Sequence, residues 1–71
     1  MGSRSDLYYH IENSVRIHGG QFSLSDDENE ITIMQSRSGF RVITESELFM
    51  FENFTDAFSE FVSQCTKVHL L

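Results

Sequence analysis

Glu30-Ile31-Thr32-Ile33-Met34-Gln35-Ser36-Arg37-Ser38-Gly39-Phe40-Arg41-Val42-Ile43-Thr44 is the stretch on which the fold turns. Residues 30–33 alternate polar and apolar, with β-branched side chains, and read as a strand. Arg37-Ser38-Gly39 reads as a short turn, with glycine available for a positive φ. Residues 40–44 then return as the paired strand, with Phe40 and Val42 on the face of Ile31 and Ile33. A hairpin with one apolar face must bury that face against something.

The flanking sequence supplies the cover. Residues 54–66 place Phe54, Ala57, Phe58, Phe61, Val62 and Cys65 on one helical stripe. Thr55, Asp56, Ser59, Glu60, Ser63 and Gln64 fall on the opposite face. Asn53 is placed to cap this helix, with Asp56 at the third helical position. Residues 5–17 read as a first helix, capped by Ser5 or Asp6, with Leu7, Tyr8, Ile11 and Val15 inward. Gly19-Gly20 is expected to stop it. Residues 21–24 read as a short strand and Ser25-Asp26-Asp27-Glu28-Asn29 as a turn. Leu48-Phe49-Met50-Phe51 is continuously apolar, so periodicity alone does not assign it. It reads as a fourth strand after a Glu45-Ser46-Glu47 turn; the Thr44-x-x-Glu47 capping-box pattern keeps a helix as the alternative. The expected fold is α+β: an N-terminal helix, a three- or four-stranded antiparallel sheet and a C-terminal helix, in one domain spanning residues 1–71. The expected core is Leu7, Ile11, Val15, Phe22, Leu24, Ile31, Ile33, Phe40, Val42, Leu48, Phe54, Phe58, Phe61, Val62 and Cys65. The tail Val68-His69-Leu70-Leu71 is apolar and is expected either to pack on the sheet or to reach a second subunit.

Composition narrows the function classes. Seven Phe and two Tyr among 71 residues argue against disorder. One Cys makes no internal disulfide and, with no recognisable export signal, suits a cytoplasmic protein. No stretch is long and apolar enough to span a membrane. Five Lys/Arg against eleven Asp/Glu give a net charge of −6, which disfavours direct nucleic-acid binding. Nine of the eleven acids lie between positions 26 and 60: Asp26, Asp27, Glu28, Glu30, Glu45, Glu47, Glu52, Asp56 and Glu60. They serve either solubility or the docking of a basic partner.

No catalytic constellation is visible. His10, His18 and His69 lie far apart in sequence, and Cys65 falls on an apolar stripe, where a thiol is inert. The 26–30 acids lack the spacing of a calcium loop, and no zinc ligand set is present. The glycines match no phosphate-binding fingerprint. Asn53-Phe54-Thr55 matches a glycosylation sequon, but helix capping accounts for Asn53. The expectation is a non-enzymatic protein with no cofactor and no metal.

In size, acidity, lack of a catalytic motif and aromatic-rich α+β pattern, the chain resembles small phage-encoded host-takeover proteins. Within that group it is most similar in kind to acidic inhibitors that occupy the DNA-binding surface of an HU-type nucleoid protein. Leu48-Phe49-Met50-Phe51-Glu52-Asn53-Phe54-Thr55-Asp56-Ala57-Phe58 resembles the strand-into-helix ending of small phage proteins, which is a packing signature. The resemblance implies a DNA mimic, a homodimer that competes with DNA for a basic partner; no functional residue transfers by motif, and the nine acids are the expected partner-binding residues because they cluster between positions 26 and 60. Arg37 and Arg41 depart from it by interrupting the acidic surface. The alternative is a small homodimeric interaction module or accessory subunit, bound to its partner through apolar surface.

Overall fold

The structure is a computed structural model that describes residues 4–17 and 20–71. Its elements run α1 (Arg4–Arg16), β1 (Gln21–Ser25), β2 (Glu30–Ser36), β3 (Gly39–Ile43), β4 (Leu48–Phe51) and α2 (Phe54–Lys67). The strands form one antiparallel meander in the order β1-β2-β3-β4, with both helices packed on one face. This is the expected α+β fold, with 45–52 resolved in favour of a turn and a fourth strand.

Side-chain shape explains the layering. Phe22, Ile33, Val42 and Phe49 are cross-strand neighbours in one row on the helix-facing side. Ile11 and Val15 of α1 and Phe54, Ala57, Phe58, Phe61 and Cys65 of α2 complete the buried core with Ile31, Ile33, Phe40 and Val42. Tyr8 joins the helices, with its ring edge-on to Phe54 and Phe58 at 5.0 Å from each. Its hydroxyl lies 3.1 Å from that of Thr55. Leu7, Phe22, Leu24 and Val62 are half-buried at the margin of the core.

Four expectations need correction. Leu48 is 53% exposed, not buried. The register pairs Val42 with Phe49, so Phe49 and Phe51 take the inner face while Leu48 and Met50 turn outward. An unbroken apolar strand does not reveal its own phase; here the larger aromatic rings take the inside. Gln64 is buried within the supposed polar face of α2, where its amide donates to Glu60 Oε2. The first helix begins at Arg4, so Ser5 and Asp6 lie within its first turn rather than at the cap. There Asp6 suits the positive end of the helix dipole. Gly39 is not a positive-φ turn residue: it opens β3 after the two-residue turn Arg37-Ser38. Gly20, at φ +83, does take the left-handed conformation after α1; Gly19 and His18 lie outside the described residues.

The tail closes α2. The N–H of His69 donates to the Thr66 carbonyl and that of Leu70 to the Cys65 carbonyl, at 3.1 and 2.8 Å. His69 takes φ +61 in what is a Schellman ending. Val68 and Leu70 pack against the core, and Leu71 is exposed.

Candidate functional site

Strand direction sorts the acids. In a meander, the β1–β2 and β3–β4 turns lie at one end of the sheet and the β2–β3 turn at the other. Asp26, Asp27, Glu28 and Glu30 therefore share an end with Glu45 and Glu47, and all six are exposed. Neighbouring strands about 4.8 Å apart place the two turns roughly 10 Å from each other. That separation is about one Debye length at physiological salt, so the six carboxylates act on a ligand as one field. Glu52 and Asp56 lie at the other end, where β4 passes into α2. Glu60 is half-buried on α2 and held by Gln64. The nine candidate acids thus divide into a group of six, a pair and one engaged within its own helix.

The two acidic turns are built alike. Asp26 Oδ1 accepts the N–H groups of Glu28 and Asn29, both at 2.8 Å, and the Asp26 N–H donates to the Asn29 carbonyl at 2.9 Å. Thr44 Oγ1 likewise accepts from Ser46 and Glu47 at 3.2 and 3.0 Å, and the Thr44 N–H donates to the Glu47 carbonyl. The bonds that resemble a capping box thus close a hairpin instead of opening a helix. Asn53 performs the helix-capping role, its Oδ1 accepting from the Asp56 N–H at 3.1 Å. These clamps hold the acidic ends in fixed loops, so a partner does not have to order them.

Donation from the Glu28 backbone first, and from Asn29 second, holds the Asp26 carboxyl below the ordinary carboxylate range. A lowered folded pKa stabilises the fold above the unfolded value, near 3.9, and that contribution disappears as pH falls through the folded value. Asp26→Ala is expected to lower stability at neutral pH and to flatten the acid limb below about pH 4. Urea denaturation midpoints of both proteins from pH 7 to pH 2 check this; parallel acid limbs would contradict it.

Three of the five bases lie elsewhere. Arg16 pairs with Glu12 at 3.0 Å and sits over the Phe40 ring at 5.5 Å. Arg37 is exposed in the turn opposite the acidic end. Arg41 projects from β3 onto the sheet face that no described element covers, between its cross-strand neighbours Met34 and Met50. Its Nε is shut off from solvent and has no hydrogen-bond partner among the described residues. Leaving such a donor unpaired costs about 1–3 kcal/mol. Sequence reading placed Arg41 only as an interruption of the acids; the pairing register is what sets it between the half-buried Met34 and the exposed Met50.

Burial pushes the Cys65 thiol up to about 11, which keeps it protonated at neutral pH. Among the described residues, no three His, Cys, Asp or Glu side chains converge to hold a metal ion. An open groove of about 270 Å³ runs between the helices past Tyr8, Tyr9, Thr55 and Phe58. No described helix is long and apolar enough to cross a membrane. No protein-family model matches the chain, and no curated protein or solved structure is significantly similar to it.

Proposed function

We propose that this chain is a non-enzymatic protein-binding inhibitor that offers its six-carboxylate end to the basic DNA-binding surface of a nucleoid protein of the HU kind. The observation that carries the reading is the convergence of Asp26, Asp27, Glu28, Glu30, Glu45 and Glu47 on one end of the sheet, in two clamped turns that contain no base. Two rows of carboxylates about 10 Å apart fall between the minor- and major-groove widths of ~6 and ~12 Å across which a duplex presents its phosphates. Lysines and arginines arranged for a groove then meet charge of the right sign at a comparable spacing, which speeds encounter and fixes register. Glu52, Asp56 and Glu60 play no part in this contact.

The test is titration of a purified HU-type protein at low and high salt, with duplex DNA as competitor. The combined variant Asp27→Lys, Glu28→Lys, Glu45→Lys and Glu47→Lys leaves the clamping atoms of Asp26 and Thr44 in place. It is expected to weaken binding by about 100-fold, since like-charge contacts across an interface cost several kcal/mol and each 1.4 kcal/mol is tenfold. Absence of binding at low salt, or affinity unchanged by the four reversals, rejects the reading.

A further inference from the structure

The sheet face turned away from the helices carries two central rows. One runs Ser23, Thr32, Ile43, Leu48 and the other Gln21, Met34, Arg41, Met50. Leu48 and Met50 are 53% and 60% exposed, and Ile43 and Met34 extend the same apolar surface into the sheet. Glu30 stands on this face at its acidic end, one row beyond Thr32. Apolar side chains around a solvent-shielded guanidinium nitrogen without a partner are what the middle of an interface looks like before the partner arrives.

We propose that a second copy of this chain covers this face, in an antiparallel sheet-on-sheet homodimer. Its two-fold axis lies in the interface, across the strands, between the Thr32 and Arg41 rows. Charge decides both the occupant and the orientation. An axis along the strands would superpose the two acidic ends and bring the two Arg41 side chains into one row. The axis across the strands separates the acidic ends to opposite poles. It also lays Arg41 of each copy over the row containing Ile43 of the other, one row and one strand from Glu30 of that copy. An extended guanidinium reaches that carboxylate, and the symmetry makes the contact twice. The chain thus carries both the unpaired base and its complementary acid on one face, at positions that a two-fold brings together.

Size sets the affinity. Four strands about 4.8 Å apart and some five residues long give a face of about 19 by 17 Å, or roughly 320 Å² in projection per copy. An interface of about 650 Å² in total falls below the ~1,000 Å² of a stable specific complex, so a weak dimer is expected, with a dissociation constant on the order of 100 µM. The dimer engages Glu30 and leaves the other five carboxylates of each acidic end free, and sedimentation of the chain alone reads it apart from what those ends bind.

Sedimentation velocity of the full chain from about 5 to 500 µM is the test. Dimer formation across that range is expected. Met50→Lys should abolish it without loss of far-UV circular dichroism, because the residue is exposed in the monomer. Arg41→Glu and Glu30→Arg should each weaken association at least tenfold, and the double variant Arg41→Glu/Glu30→Arg should recover it. A wild-type chain that stays monomeric at 500 µM overturns the proposal. A dimer that survives Met50→Lys, or a charge swap that recovers nothing, overturns it equally.

Discussion

Phe61→Ala is expected to leave the chain without a cooperative fold at 25 °C. Phe61 is fully buried on the stripe of α2 that faces the sheet, with Phe22 edge-on at 6.1 Å between ring centroids. Truncating a buried phenylalanine costs about 3–5 kcal/mol, combining lost transfer energy with the cavity left behind. A domain of this size rarely has more than ~3–5 kcal/mol in total from its core. The substitution therefore takes most or all of the available stability, where the same change in a larger domain would only lower its melting point. Phe61→Leu, which keeps much of the volume, should retain a cooperative urea transition at a reduced midpoint. A Phe61→Ala protein that unfolds cooperatively with less than about 1 kcal/mol lost would show that the core repacks around the void, contrary to this account.

The reach of sequence reading follows from the same physics. Where periodicity and chain punctuation agree, the element was legible: Phe54, Ala57, Phe58, Phe61 and Cys65 of the α2 stripe, its Asn53 cap and the alternation through Ile31 and Ile33 stand as read. Leu48-Phe49-Met50-Phe51 contains no polar residue to mark its phase, so only the pairing of Val42 with Phe49 settles which two side chains point inward. His69 is a different failure. A left-handed helix ending is read from glycine, and histidine there carries a strain of about 1–2 kcal/mol that local sequence does not disclose. The two hydrogen bonds of the Schellman ending and the burial of Val68 and Leu70 offset it.

The acids were legible as a composition but not as a surface. Asp26 and Glu47 are far apart in sequence and share an end only because β1 and β3 run the same way. Glu60 looks as free as its neighbours until the burial of Gln64 explains its engagement. Arg41 shows the limit most clearly. Its local sequence says only that a base sits on the polar face of a strand. The meaning of that face depends on Met34 and Met50, which reach it from two other strands.

Gly39→Ala is expected to detach the end of β4 and to destabilise the domain by about 1–3 kcal/mol, the ordinary range for forcing extra carbon into a packed site. A Cβ at Gly39 would stand 2.2 Å from the Phe51 carbonyl oxygen and 3.3 Å from the Glu52 Cα. Both are backbone atoms, so no side-chain rotation relieves the clash, and β4 itself must move. Its movement carries Phe51 away from its cross-strand partner Phe40 and shifts the chain just before Asn53, the cap of α2. The damage should therefore spread from strand to helix, visible as accelerated amide exchange in β4 and in the first turn of α2. Gly20 provides the control. Its φ of +83 disfavours side chains, yet a Cβ there meets nothing closer than the Val15 carbonyl at 4.0 Å. Gly20→Asn should recover much of what Gly20→Ala loses, because asparagine tolerates the left-handed region. Gly39→Asn should be no better than Gly39→Ala, because the obstacle is the first side-chain carbon and not the backbone angle. Rescue by asparagine at position 39 would mean that conformation, rather than the approach of β4, selects glycine there.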